Sequence, residues 1–332
     1  MLKRLSAAVL LILVVAGVAM GGAYVWFART VASPGPLAQP TTVIIAPGSG
    51  LAAIARQLDA AGVITHDWMF ELEARRSGRA RELKPGEYRF EPAVSLGVAL
   101  DKIVRRDVVA RFVTIPEGLV TADIRRILDE TPGLVGEADG AIADGDLLPE
   151  TYRYEWGDSR AAIIGRMRTA RDKAVAELWA ARAPDLPLQS PEEAMVLASI
   201  VEKETGVGSE RPRVAAVFIN RLRLGMRLQS DPTVIYGIAP QTGNLEREIT
   251  RADLNAFNAF NTYIVSGLPP SPICHPGRAA LTAVVKPIQS DELYFVADGK
   301  GGHAFAATLD EHNRNVARWR KLQRDAAKNR ER

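Results

Sequence analysis

The sequence predicts an α+β protein with a single N-terminal transmembrane helix, a small α+β domain and a helix-rich α+β second domain. Three observations predict it: an uncharged run near the N-terminus, a strand-turn-helix pattern that recurs after 70 residues, and mainly helical periodicity from about residue 160. The chain has 332 residues, 47% of them hydrophobic and 24% charged, which is ordinary for a globular protein and long enough for two domains. A net charge of +3 from nearly balanced acids and bases gives no reason to expect a nucleic-acid partner. The C-terminal "RWRKLQRDAAKNRER" reads as a solvated basic helix, and Cys274, alone of its kind, cannot form an intramolecular disulfide.

The N-terminal run "LSAAVLLILVVAGVAMGGAYVWF" extends from Leu5 to Phe27 without a charge. As a helix it spans roughly 34 Å, enough to cross a hydrocarbon core of about 30 Å. Lys3 and Arg4 precede it, and Tyr24 and Trp26 stand at its far end where an aromatic belt is expected. The positive-inside rule then puts the N-terminus in the cytoplasm and everything after Arg29 outside. An uncleaved anchor fits better than a cleaved signal peptide, whose apolar region would be only about 7–15 residues. Residues 30–40, containing "TVASPGPLAQP", read as a short linker.

From Thr41, "TTVIIAPGSGLAAIARQLDAAGVI" gives an extended run, a turn at Pro47-Gly48 and a helix with Leu51, Ile54, Ala55 and Leu58 at its apolar spacing. Seventy residues on, "RFVTIPEGLVTADIRRILDETPGL" matches it: Val113 with Val43, Ile115 with Ile45, Gly118 with Gly48, Ile124 with Ile54 and Leu128 with Leu58. Between the two lie a turn and strand in "LKPGEYRFEP" and a helix capped by Ser95. Residues 41–135 are thus expected to form a small α+β domain without a catalytic constellation, leaving it binding or positioning. Residues 136–332 are expected to form the catalytic domain, with a glycine-rich turn in "LYFVADGKGGHAFAAT" and a basic terminal helix.

The chemistry is expected in "SPEEAMVLASIVEKETGVGSE". Ser190 is an N-cap, Pro191 takes the first helical position, and Glu193 is placed to complete a capping box. Between Ala194 and Val201 only Ser199 is polar, so the helix is apolar all round and belongs in the middle of its domain. Gly206 is read as the C-terminal stop. At about 100° per residue, Glu202 and Glu204 lie about 200° apart and cannot act as a carboxylate pair. Glu204 continues the stripe of Leu197, Ile200 and Val201, where desolvation and the helix C-terminus raise a carboxyl toward the range of a general acid. Caps or salt bridges to Arg211 or Arg213 are the competing reading of both glutamates. Downstream, Asn220, Gln229, Ser230, Asp231, Tyr236, Asn261 and Thr262 supply the amides, hydroxyls and aromatic ring that sugar recognition needs. Ser199 lacks a G-x-S-x-G context, His66, His275, His303 and His312 have no metal spacing, and "DGKGGHAF" is not a phosphate loop.

The segments "ASIVEKET", "VFINRLRLGMRLQSDPTVIYG", "NTY", "GLPP", "YFVADGKGGHAF" and "EHNRNV", in this order, resemble the endolytic murein transglycosylase family, also called MltG or YceG-like. The resemblance runs over essentially the whole chain, and "APGSGLAAIA" resembles the family's LysM-like subdomain. It departs at Ser271, where a glycine is common, and at Cys274-His275, a variable spot. The resemblance implies cleavage of the β-1,4 bond between N-acetylmuramic acid and N-acetylglucosamine in nascent peptidoglycan strands, leaving 1,6-anhydro ends. It implies Glu204 as the acid and then the base; helix phase leaves Glu202 a supporting place, and the downstream amides, hydroxyls and ring make Asn220, Gln229, Asp231, Tyr236, Asn261 and Thr262 the candidate substrate contacts. No metal or other cofactor is implied. It further implies an inner-membrane protein with a periplasmic catalytic domain, glycan strands as partner, and synthases or division proteins as further partners. A non-catalytic peptidoglycan-binding scaffold of the envelope is the rival reading.

Overall fold

The computed structural model describes residues 2–138 and 140–330. It is a mixture of helices and small two-stranded sheets, and the chain divides into two compact units. The first comprises residues 1–111, 132–134 and 153–158, the second residues 112–131, 135–152 and 159–332.

Helix α1 (Leu2–Ala32) includes a segment, Ala7–Ala32, long and apolar enough to cross a bilayer. Its side chains from Ala7 to Trp26 are exposed, and Phe27, the next along the helix, is buried. Beyond it come β1 (Thr41–Ile45), α2 (Leu51–Ala60), α3 (Asp67–Arg76) and β2 (Gly86–Phe90), with β1 and β2 antiparallel in the register Val43 to Tyr88. This β-α-α-β arrangement encloses Ile45, Ile54, Leu58, Phe70, Tyr88 and Phe90, and α4 (Leu96–Val104) closes the core with Leu100 and Ile103. Ser95 accepts from the Val98 N–H, the cap the sequence leads one to expect.

Residues 33–40 are not a free linker. The Leu37 carbonyl accepts from the Ala93 N–H at 2.8 Å, Leu37 itself is buried, and a side chain on Gly35 would collide with the Val94 carbonyl. Phe27 and Val31 of α1 join the same core, Val31 lying against Gly97 of α4. The end of α1 is therefore packed into the first unit, because proline and glycine here serve close approach rather than freedom.

The recurrence seen in the sequence holds in three dimensions. β3 (Arg111–Thr114) and α5 (Thr121–Glu130) repeat β1 and α2, and Gly48 and Gly118 take the same left-handed turn, with φ of 81° and 79°. Each matched pair, Val43 and Val113, Ile45 and Ile115, Ile54 and Ile124, Leu58 and Leu128, is buried in both copies. The second copy, however, clusters with the second unit from Phe112 onward, whereas the sequence places a boundary near 135. Its strand pairs with β4 (Thr151–Tyr154), an element the sequence did not announce; the Ile115 N–H reaches the Glu150 carbonyl and the Thr114 and Thr151 hydroxyls meet at 2.9 Å.

The rest of the second unit is built on α6 (Arg160–Ala180), α7 (Pro191–Glu204), α8 (Arg211–Arg223) and α11 (Arg278–Val285), with the short helices α9 (Asp231–Ile238) and α10 (Arg251–Asn255) between the last two. Helix α7 is central, as its composition requires: every residue from Ala194 to Glu202 is buried, among Val214, Phe218, Leu281 and Val284. An antiparallel hairpin, β5 (Tyr294–Ala297) and β6 (His303–Ala306), turns on Asp298, whose carboxylate accepts from the Lys300 and Gly302 N–H groups, and α12 (Leu309–Arg330) follows.

Two local expectations about α7 need correction. Ser190 accepts from the Glu193 N–H, but the Glu193 carboxylate returns to the Gln189 N–H and not to that of Ser190. The helix ends because Thr205 turns to extended backbone, φ −140°, and Gly206 does not take up the left-handed conformation. Gly118→Ala should destabilise the second unit by about 1–2 kcal/mol, since a side chain is strained at this φ. Denaturant unfolding followed in that variant checks it, with Gly165→Ala in α6 as a mild control.

Candidate functional site

The last turn of α7 carries both glutamates, and the fold sends them to different neighbours. The Glu202 Oε1 accepts from Arg211 at 2.8 Å and its Oε2 from the Gly277 N–H at 2.9 Å. Arg211 also reaches Glu117 at 3.1 Å. A side chain on Gly277 would overlap the Glu117 carboxylate, so only glycine leaves room for this cluster. Burial pushes the Glu202 carboxyl up while the Gly277 N–H and Arg211 oppose it. Of the two arginines that might have claimed these glutamates, Arg211 takes Glu202, whereas Arg213 pairs with Glu292.

Glu204 has no arginine partner among the described residues. It is half-buried by surface area, with its carboxyl deep enough that desolvation dominates and pushes its pKa up to about 7. The Ser230 hydroxyl donates to its Oε1 at 2.5 Å and works against that rise; the Asp231 charge adds to it, and the Arg221 charge opposes it. Ser230 stands at the N-cap of α9, where a serine normally accepts from its own helix, yet this hydroxyl is turned to Glu204 instead.

Ser230 is clamped on every polar atom. Its N–H donates to Thr262 Oγ1 at 2.9 Å, its carbonyl accepts from the Thr233 hydroxyl at 2.7 Å, and the Thr233 and Thr262 hydroxyls meet at 2.8 Å. The preceding Gln229 sits at φ 50°, a left-handed conformation unusual outside glycine, with its N–H on the Thr262 carbonyl. Its exposed side chain makes no hydrogen bond among the described residues.

The residues picked from the sequence therefore separate into two groups. Gln229 and Asp231 flank Ser230 and remain exposed, Asp231 accepting from the Tyr263 hydroxyl at 2.6 Å. The others spend their polar atoms inside the fold. Asn220 holds the Ser290 and Glu292 carbonyls, Asn261 holds those of Asp253, Leu254 and Ala256, and Thr262 is the buried clamp just described. Tyr236 packs edge-on against Phe260 and donates to Asp144 Oδ2 at 2.7 Å.

Asp144 leads to a network the sequence did not reveal. Its Oδ1 accepts from the Thr121 N–H and hydroxyl, both at 2.7 Å, and Thr121 Oγ1 lies 3.0 Å from Nε2 of the fully buried His275. The Leu147 N–H donates to His275 Nδ1, which assigns the ring proton to Nε2 and a neutral imidazole, in keeping with burial pushing its pKa down. Arg221 is a second addition: buried, it donates to the Leu293 and Leu228 carbonyls and so fixes the loop before Ser230. Thr121 and Glu117, both from residues 41–135, stand among these groups, and Gly118 lies against Glu202 and Lys203. Cys274 and Ser199 are packing groups, the Ser199 hydroxyl accepting from the Ile273 N–H and the Cys274 thiol facing the Ser199 carbonyl. Among the described residues no cluster of three or more His, Cys, Asp or Glu is placed to hold a metal. A cleft of about 770 Å³ between the β5–β6 turn and α12 is lined by His303, Trp319 and Leu322 and includes neither Glu204 nor Ser230.

The YceG-like family model matches residues 43–318, from β1 into α12. The chain belongs to the YceG-like family. This YceG-like chain is 28% identical over 321 residues to a protein of Streptococcus pneumoniae named endolytic murein transglycosylase, covering 83% of the chain and 58% of that relative. It thus spans less than two thirds of the pneumococcal protein. A Bacillus subtilis protein of the same name is 27% identical over 328 residues, with 89% of each covered. A crystal structure of a YceG-like protein from Listeria monocytogenes superposes with a TM-score of 0.52 at 29% identity, covering 83% of this chain and 98% of that one.

The two glutamates should respond oppositely to amidation. Glu202→Gln leaves Arg211 with a weakened buried pairing and should cost about 3 kcal/mol. Glu204 has a folded pKa above its unfolded value, so the native state binds the extra proton and loses stability as pH rises from about 4.5 through about 7. Glu204→Gln should therefore stabilise the protein by on the order of 3 kcal/mol at pH 8 and leave it nearly unchanged at pH 4. Thermal melts of both variants at the two pH values check this.

Proposed function

We propose that this protein is a membrane-anchored endolytic lytic transglycosylase that cuts the β-1,4 bond between N-acetylmuramic acid and N-acetylglucosamine within peptidoglycan strands. The observation that carries the reading is the Glu204 carboxyl, desolvated to a pKa of about 7 and left, among the described residues, with one neutral hydrogen-bond donor. A group with that pKa is poised both to give and to take a proton near neutrality. The names of the pneumococcal and Bacillus relatives support the substrate class.

In this mechanism protonated Glu204 donates to the glycosidic oxygen as the C1–O bond breaks. The resulting carboxylate then removes the proton from the muramoyl C6 hydroxyl, whose oxygen closes on C1 to give the 1,6-anhydro ring. No water enters, and no second carboxylate is required, unlike the paired acids of hydrolytic glycosidases. That fits a site where the nearest other glutamate on the helix, Glu202, is committed to Arg211 and Gly277. Ser230 supports the carboxylate form between the two proton transfers. Gln229 and Asp231, exposed on either side of it, are the substrate-facing groups of this reading.

The β-α-α-β core of the first unit supports a LysM-like role in holding glycan, and α1 supports a single-pass anchor. Lys3 and Arg4 before the apolar run support a cytoplasmic N-terminus and a periplasmic second unit. Glycan synthases or division proteins are the partners this location offers.

The decisive comparison is full-length wild type against Glu204→Gln and Glu202→Gln on uncrosslinked glycan strands, at a temperature where all are folded. Wild type and the Glu202 variant should give 1,6-anhydromuramoyl ends by mass spectrometry, with activity in Glu204→Gln down by at least roughly a hundredfold, in line with the loss of a general acid-base group. Loss in the Glu202 variant alone would mean the other carboxylate is the acid, and no product from wild type would favour the scaffold reading. The rate, kcat/KM, should fall as pH rises through about 7 because the proton needed for the first step is then absent. Ser230→Ala removes the bond that favours the ionised form, so its alkaline limb should move to higher pH.

A further inference from the structure

The way α1 enters the first unit fixes which part of that unit lies lowest on the helix. Side chains from Ala7 to Trp26 are exposed, and among the described residues the one ring contact along that stretch is the Arg76 guanidinium over Tyr24, 5.8 Å from the ring centroid. At the other end of α3, His66 and Met69 share a small cavity with Thr30 and Ser33 of α1 and its exit. Met69 to Arg76 spans about 10 Å of helix and Thr30 back to Tyr24 about 9 Å, so α3 runs antiparallel beside the end of α1. Leu5 to Tyr24 spans about 30 Å, the thickness of a hydrocarbon core, which puts Tyr24 and therefore Arg76 at the exit plane.

The chain that continues from that point is basic: "RRSGRARELK", Arg75 to Lys84, has five cations and the single acid Glu82. Arg75 and Arg76 share charge with Glu71 and Glu73, and Arg79 with Asp101 of α4. Arg81 and Lys84 are exposed and make no ion pair among the described residues. The Tyr88 hydroxyl bonds to the carbonyls of both Lys84 and Ile103, which brings exposed Arg105 at the end of α4 beside them; Lys102 there is paired with Asp107. Leu72, exposed one turn before Arg76, adds an apolar side chain to the same face of α3.

We propose that the C-terminal end of α3 and the loop Ser77–Lys84, with Arg105, form a bilayer-facing surface that binds anionic phospholipid headgroups where α1 leaves the membrane. The occupant follows from continuity with the membrane-crossing helix and from the excess of unpaired cations at the level where headgroup phosphates lie. Because residues 33–40 are packed and not slack, this surface is held at the membrane rather than merely tethered near it. The inference rests on the anchor reading of α1.

The test uses the full chain in nanodiscs, with single fluorophores on Ser77→Cys, on Arg56→Cys in α2 and on Gly17→Cys in α1; the native Cys274 is buried. Nitroxide on the headgroup should quench the label at 77 several-fold more than that at 56, more strongly in phosphatidylglycerol discs than in phosphatidylcholine discs. Adding Arg81→Gln and Lys84→Gln should remove the dependence on lipid charge. Equal quenching at 77 and 56, or quenching at 77 indifferent to phosphatidylglycerol, overturns the proposal. Acyl-chain nitroxide should quench the label at 17; if it does not, the anchor itself is refuted and this surface with it, whereas quenching at 17 without quenching at 77 refutes the surface alone.

Discussion

The site depends on one arrangement: a carboxyl delivered by the end of a buried helix into a place where water is scarce and where, among the described residues, its one direct partner is a neutral hydroxyl. Glu204 could be neutralised by an arginine, as Glu202 is, and its pKa would then sit low. It is not. Arg221, whose charge acts on it, is occupied by the Leu293 and Leu228 carbonyls and acts only at a distance. Helix phase makes this possible, because two residues along an α-helix face nearly opposite ways.

Much of the remaining polar framework serves to hold Ser230 against that carboxyl. Thr262 and Thr233 fix its backbone, Gln229 accepts a left-handed backbone to bring it round, and Arg221 anchors the loop before it. Asp144, Thr121 and His275 tie Tyr236 of α9 to the start of α5, so the helix that begins at Ser230 is fastened at its far end as well. Thr233, Thr262, Arg221 and His275 are buried and hydrogen-bonded, and a connected network of this kind specifies one geometry rather than several. The hydroxyl of Ser230 cannot cap α9 and serve Glu204 together, and the fold resolves the conflict toward Glu204.

Local pattern was enough for the acid helix and for most of the elements, though not for β4. Ser190, Pro191 and the apolar run of α7 made its start and its burial legible, and the recurrence of Val43, Ile45, Gly48, Ile54 and Leu58 seventy residues later foretold a second strand, turn and helix, whose turn has a φ close to that of the first. The opposed directions of Glu202 and Glu204 also followed from spacing alone. What spacing does not carry is the partner across the fold. Asn220, Asn261 and Thr262 looked like ligand groups because amides and hydroxyls are, yet their partners are backbone and side-chain atoms of the fold itself. Asp144 sits in an unpatterned loop and His275 in a proline-rich one, and only tertiary contact joins them. The terminal stop of α7 was misread for a related reason: Gly206 is a sufficient signal for a left-handed cap, but the chain had already turned at Thr205.

The central claim is that the fold keeps the Glu204 carboxyl protonated near neutral pH. It is tested most directly by titrating that group itself, by carbon-13 NMR of selectively labelled glutamate with Glu204→Gln used for assignment. A midpoint near 7 is predicted. A midpoint near the ordinary glutamate value of about 4.3 would contradict the account.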